Sequence, residues 1–206
     1  GMAITLAKLA NIRVHGITLS EEQLVLARER AEAEGLADRV TFELIDYRDL
    51  AVRDMGQYDR IVSVGMFEHV GARNFETFFR CAANLLTADG VMLIHTIGRF
   101  GRPGATDAFT RKYIFPGGYI PALSETVAAS ERSRLIVTDV ETLRLHYALT
   151  LREWYKRCVE KRAEIEAMMG VRFYRMWCFY LAGATAAFES GGMGNYQIQY
   201  ARSRHA

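Results

Sequence analysis

Hydrophobic and polar positions along the chain fall into two alternating rhythms. Short apolar runs at residues 12–17 (IRVHGI), 40–45 (VTFELI), 58–64 (YDRIVSV) and 91–97 (VMLIHTI) read as strands. The spacing between them predicts helices over 24–34 and 75–86. The first is introduced by the capping spacing Ser20-Glu21-Glu22-Gln23 and closed by Gly35, while Asp89-Gly90 reads as the turn before the fourth strand. A helix over 2–10 precedes the first strand. After the fourth, residues 98–118, rich in Gly, Arg and Pro, carry no element and have the length of a functional loop or lid. Helix over 123–132, strand over 135–143, one long amphipathic helix over 146–169, a helix over 172–188 and a last strand over 196–201 (YQIQYA) complete the reading. Strands alternating with helices predict a doubly wound α/β sheet with right-handed crossovers.

The strand ends carry the chemistry. In Ile61 to Gly71 (IVSVGMFEHVG) an apolar strand gives way abruptly to Gly65, Glu68 and His69, which sets Glu68 at the rim of a cleft beside backbone that a glycine lets approach a ligand. Thr18 to Gln23, Asp46 to Arg48 and His95 to Gly98 bring further polar residues to the same rim, where Rossmann-like sheets hold a nucleotide-bearing cofactor. No G-x-G fingerprint precedes the first helix, so pattern alone stops at a nucleotide-cofactor fold whose first strand is missing.

Composition narrows the function. Half of the 206 residues are hydrophobic, enough for one substantial core and a single domain. A net charge of +2 is too mild for nucleic acid, although Arg99, Arg102, Arg111 and Lys112 gather in the 98–118 segment. Cys81, Cys158 and Cys178, odd in number and far apart, fit a reducing cytosol better than a disulfide framework or a zinc site. The longest uncharged run, 176–188, is too short to span a bilayer, so membrane contact is expected to be peripheral.

The run YDRIVSVGMFEHVG, then VMLIHTIG, YIFPGG and HYALTLREWY, closely resembles the cyclopropane-fatty-acyl-phospholipid synthases, S-adenosylmethionine-dependent methyltransferases that include the mycolic acid cyclopropane synthases. The resemblance covers almost the whole chain. It implies a class I methyltransferase sheet with helices on both faces and a lipid-site insertion over roughly 98–190. It also implies transfer of the methyl carbon of S-adenosylmethionine across a cis double bond of a phospholipid acyl chain, with bicarbonate as base. On this basis Glu68, His95, Tyr147 and the Ile97 backbone are expected around the bicarbonate. Thr18, Leu19, Ser20 and Gln23 match the family's G-[IL]-T-L-S-x-x-Q segment for the ribose and methionine portions. Asp46 and Tyr47 are expected beside adenine, with Gly65 close to the cofactor. The family's D-x-G-C-G-W-G loop and its cysteine ligand of bicarbonate are absent from the chain. The expectation is therefore a first strand missing between those at 12–17 and 58–64, weakened cofactor binding, and association with a second copy there.

Taken singly, these residues have plainer readings. Ser20 and Gln23 are good caps, His95 a core histidine, Glu68 an acid at a helix start, and Tyr147 and Trp154 core positions of an amphipathic helix. Their joint order carries the family assignment. The implied setting is cytoplasmic, peripheral at the inner membrane surface, with Phe109, Tyr113, Phe115, Trp154, Phe173 and Phe179 lining an acyl site. Two alternatives remain open from sequence: a methyltransferase of the same fold acting on another acceptor, and a non-catalytic fragment that binds lipid or a partner.

Overall fold

The computed structural model describes residues 1–206, which pack as two compact units, Gly1–Met55 and Gly56–Ala206.

In the first unit Ser20 starts the α/β pair. Its hydroxyl accepts a hydrogen bond from the Gln23 amide and caps α2 (Glu21–Ala33). Only half of the expected capping box forms, because the Gln23 side chain turns to the Thr18 hydroxyl instead of the Ser20 amide. Strands β1 (Val14–Thr18) and β2 (Val40–Leu44) pair in parallel from Val14 opposite Val40 to Thr18 opposite Leu44. Helix α1 (Met2–Leu9) buries Ile4 and Ala7 with Ala31, Leu36 and Val40, forming a small core. Sequence pattern missed α3 (Tyr47–Arg53), which Asp46, two residues past the end of β2, caps by accepting from the Arg48 amide.

The second unit is built on a four-stranded sheet of order β3-β4-β6-β5. Strand β3 (Tyr58–Val64) runs parallel to β4 (Leu86–Arg99), while β6 (Met193–Ala201) is antiparallel to both β4 and β5 (Ile136–Leu143). The expected α/β architecture is present, and no pairing joins β1 to β3: β1 pairs only with β2 and β3 only with β4, which leaves two sheets. Strand β4 starts earlier than its apolar run. Tyr58 lies opposite Leu86 and Arg60 opposite Val91, so the Asp89-Gly90 turn is absorbed as an irregularity inside the strand.

Met92, Ile94 and Thr96 of β4 are fully buried on one face, against Phe79 of α5 (Phe75–Leu85) and Tyr200 of β6, whose rings lie 5.3 Å apart. The other face carries His95 and Ile97 toward the carboxyl end. There α7 (His146–Glu160) and α9 (Val171–Glu189) close over it with Leu151, Leu181 and Phe188. The long helix expected over 146–169 breaks at Lys161 into α7 and α8 (Arg162–Met169), which three consecutive turns of apolar periodicity did not reveal. Helix α6 (Leu123–Glu131) begins where Glu125 accepts from the Ala122 amide and the Tyr119 hydroxyl.

Candidate functional site

A buried aromatic fixes the acid. After β3 the chain turns at Gly65, whose φ of +66° favours glycine, and its amide donates to the carbonyl of His95. Phe67 then enters a pocket of Phe75, Phe78 and Phe79, with ring centroids 4.3, 5.1 and 5.6 Å away, and is fully buried. In the short helix α4 (Phe67–Val70) the next side chain, Glu68, must therefore face elsewhere. It reaches β4, where its Oε1 accepts from the Ile97 amide at 2.7 Å. The Glu68 carbonyl also accepts from the Tyr119 amide, which ties the end of the 98–118 segment to the acid. The second carboxylate oxygen, Oε2, is buried and has no hydrogen-bond partner. A buried carboxylate oxygen without a donor is costly and marks a place where a ligand with an O–H or N–H would bind.

Tyr147 completes the cluster from α7. It packs with Ile97, Tyr180 and Trp177 around Leu151 and Leu181. Burial raises the ionisation of the Tyr147 phenol above its ordinary range, and the Glu68 carboxylate adds to it, which places the two side chains within each other's field. Tyr180 is pushed up to about 12, by burial first and then by Tyr147. An unfolded tyrosine ionises near 10, so the unfolded chain sheds these protons first. The stability that neutral Tyr180 confers is complete below about pH 10 and falls as pH rises toward about 12. Absorbance titration together with melting curves through that window should show that the phenolate signal of the buried tyrosines appears only as the protein unfolds, after that of the exposed tyrosines.

His95 is held from β6. Its Nε2 lies 3.0 Å from the Asn195 amide nitrogen and its Nδ1 3.2 Å from the Gln197 amide nitrogen. A neutral imidazole has one N–H and one lone pair, so one of the two amides turns its oxygen to the ring while the other donates. Such a clamp selects one tautomer. Nitrogen-15 spectra of His95 should show one pyrrole-like and one pyridine-like nitrogen without averaging, and averaged shifts should appear in Gln197→Leu. An averaged ring in the unaltered protein would contradict the clamp. Sequence reasoning missed Asn195 and Gln197. Their signal was polar residues at alternate positions in an otherwise buried strand, and starting the strand at Tyr196 hid the first of them.

The structure therefore brings together Glu68, the Ile97 amide and Tyr147, and sets His95 two residues before Ile97 on the same face of β4. His69 lies apart from them at the rim, its ring edge-on to Phe115 at 6.0 Å. His15 pairs with Glu43 at 3.2 Å.

The residues expected at the cofactor lie in the first unit, except Gly65. Thr18 donates its hydroxyl to Gln23 Oε1 and accepts from the Ser20 amide, so the three form one polar turn, beside an exposed Leu19. Thr18 also presents its carbonyl to the Ile45 amide, which brings the ends of β1 and β2 side by side. Asp46 accepts from Arg48 Nε at 2.8 Å and Nη2 at 2.7 Å, and this guanidinium lowers its ionisation below the usual carboxylate range. The Arg48 guanidinium also lies over the Tyr47 ring, 5.7 Å from its centroid. Of the four cations read as one basic loop, Arg99 is turned inward to the carbonyls of Ile120 and Ala105, whereas Arg102, Arg111 and Lys112 are exposed. No helix is long and apolar enough to cross a membrane.

Comparison with known proteins gives this geometry a family. The model for mycolic acid cyclopropane synthetases matches residues 1–198. A probable fatty acid methyltransferase of Pseudomonas putida is 40% identical over 203 residues, which are 96% of this chain and 51% of that protein. The cyclopropane-fatty-acyl-phospholipid synthase of Escherichia coli K12 is 38% identical over 202 residues, 98% of this chain and 50% of that protein. The chain thus spans about half the length of these curated relatives. The crystal structure of mycolic acid cyclopropane synthase CmaA1, complexed with SAH and CTAB, matches with a TM-score of 0.85 at 27% identity, covering 96% of this chain and 73% of that one. The common architecture is the α/β fold of class I methyltransferases. With the match running from residue 1 to residue 198, through both units and every residue of the Glu68 cluster, the chain belongs to the mycolic acid cyclopropane synthetase family.

Proposed function

We propose that the protein transfers the methyl carbon of S-adenosylmethionine to the cis double bond of an unsaturated phospholipid acyl chain and closes it to a cyclopropane ring. The observation that carries this reading is the unpartnered, buried Oε2 of Glu68, set among Ile97 and Tyr147. Attack of an alkene on a sulfonium methyl leaves a carbocation, and a fixed carboxylate in a low-dielectric cluster stabilises charge that develops there. Ile97 serves by holding Oε1, which leaves Oε2 free to act. Tyr147 offers an aromatic face to the cation, and the apolar side chains of α7 and α9 exclude the water that would trap it as an alcohol.

Bicarbonate suits this place as a hydrogen-bond donor to Glu68 Oε2, with His95 and Tyr147 as its other neighbours, and it would supply the base for the proton lost at ring closure. Because the Ile97 amide already donates to Glu68, the backbone contact expected from Ile97 acts through the acid. On the cofactor side, Thr18, Leu19, Ser20 and Gln23 would meet the ribose and methionine portions. The Arg48-braced Asp46 and Tyr47 would flank adenine. The polar turn at Thr18, Ser20 and Gln23 supports this, since its groups bond chiefly to one another and can exchange those bonds for a ligand's.

The test is incubation with methyl-labelled S-adenosylmethionine and vesicles of unsaturated phosphatidylethanolamine mixed with phosphatidylglycerol, followed by separation of headgroup and acyl fractions. Label in a saturated, ring-bearing acyl chain is the expected result. Label confined to a headgroup amine would replace this reading with a different acceptor, and binding without any transfer would favour the non-catalytic alternative.

A further inference from the structure

One stretch of surface in the second unit combines exposed apolar side chains with cations that have no acid. On α9, Val171, Arg175 and Phe179 fall at successive i, i+4 positions and are all exposed, Phe179 to 64%. Phe179 meets Phe109 edge-on at 5.0 Å, which joins this stripe to the π-helical turn at Thr110–Ile114. That turn exposes Tyr113 to 46%, with the Lys112 ammonium 5.1 Å from its ring centroid.

The charge pattern sets this face apart from the helices beside it. Residues 108–119 and 167–188 contain no Asp or Glu, and Arg111, Lys112, Arg172 and Arg175 form no ion pair. The neighbouring helices behave differently: Arg157 pairs with Glu153, Lys161 with Glu164, Arg162 with Glu166, and Arg152 with Glu189. Unpaired cations beside exposed aromatics fit a surface that carries negative charge over an apolar interior.

We propose that this face, the outer stripe of α9 with the adjoining π-helical turn, docks on an anionic lipid bilayer. It rests on the reading that the acceptor is an acyl chain, and the packing supplies the route. Phe115, next to the exposed turn, meets Tyr180 at 6.0 Å, and Tyr180 packs in the same cluster as Tyr147 and Ile97, which holds Glu68. An acyl chain drawn from the bilayer between α9 and the turn would thus pass Phe115 and Tyr180 to reach the carboxylate. The apolar members would enter the interface, and the four cations would meet the headgroup phosphates.

Co-sedimentation with phosphatidylcholine vesicles, with and without phosphatidylglycerol, tests this in the absence of any cofactor. The protein should bind the anionic vesicles and lose that binding in high salt. Arg172→Glu with Arg175→Glu should reduce the partition coefficient by at least about tenfold, each cation near an anionic surface being worth about fivefold. Phe179→Ser should also weaken it, while Arg152→Glu, in a paired region, should leave it unchanged. Binding unaffected by the α9 double reversal, or equal on neutral vesicles, would overturn the proposal. So would a Phe179→Ser variant that instead dissociates a dimer in sedimentation, since the face would then join two copies. Transfer to acyl chains dispersed in neutral detergent separates the two claims. The double reversal should leave that transfer intact, and its failure in the unaltered protein would remove the acyl-transfer reading without touching the vesicle result.

Discussion

Glu68→Gln should lower turnover by about 10²- to 10³-fold while changing cofactor affinity far less, the scale found when one preorganised electrostatic contact to a transition state is removed. The substitution isolates charge. A glutamine keeps an oxygen for the Ile97 amide, so the link between α4 and β4 survives, and only the anionic Oε2 is replaced by a neutral amide. If the carboxylate matters when a cation develops, kcat falls and binding does not. Equal losses in kcat and in S-adenosylmethionine affinity would make Glu68 a cofactor ligand instead. Steady-state kinetics beside calorimetry of cofactor binding distinguishes the two.

The second large effect lies one residue earlier. Phe67→Ala should destabilise the 56–206 unit by about 3–5 kcal/mol, the range for emptying a fully buried aromatic site. The ring is fully buried and touches three phenylalanines of α5, so little can collapse into its place. Denaturant unfolding measures the cost, and Phe67→Leu, which keeps much of the volume, should lose less. Because Phe67 directs Glu68 toward Ile97, the folded fraction of Phe67→Ala should also show weakened activity. A loss below about 1 kcal/mol would mean that Phe67 does not anchor the turn.

These two neighbours illustrate what the sequence could reveal. The apolar run ending at Val64 followed by Gly65 and Glu68 marked both a strand and an acid at its carboxyl end, and β3 spans Tyr58–Val64 as read. The apolar run betrayed the strand because a short β-branched stretch bounded by turn residues favours extended backbone, although β3 itself is mostly exposed or half-buried, with Ser63 its one buried residue. Periodicity found neither α3, a single short helix hung on the Asp46 cap, nor the break between α7 and α8, where the amphipathic pattern runs on through Lys161. It also placed the start of β4 too late, because Thr87, Asp89 and Gly90 read as turn chemistry while the backbone carries them as an irregular extension of the strand.

The site was legible in part and for different reasons. Strand-end polarity marked Glu68 and His95, but their joining with Ile97 and Tyr147 was reached through resemblance, since residues on α4, β4 and α7 have no sequence spacing that betrays a shared cluster. Asn195 and Gln197 needed register: only the antiparallel pairing of His95 with Gln197 and of Ile97 with Asn195 puts both amides at the ring. The unpaired cations of α9 took on meaning only in three dimensions, from the acids they lack and from the aromatic ring that joins them to the turn.

The most direct test of the account is the isotope content of the product made from S-adenosylmethionine bearing a fully deuterated methyl group. Ring closure forms two carbon–carbon bonds to the transferred carbon and releases one of its hydrogens to the base, so the acyl product should retain two deuterons and no double bond. A product that keeps all three deuterons as a methyl branch, with a hydrogen lost from the chain instead, would contradict cyclopropanation and establish the protein as an acyl methyltransferase that stops short of the ring.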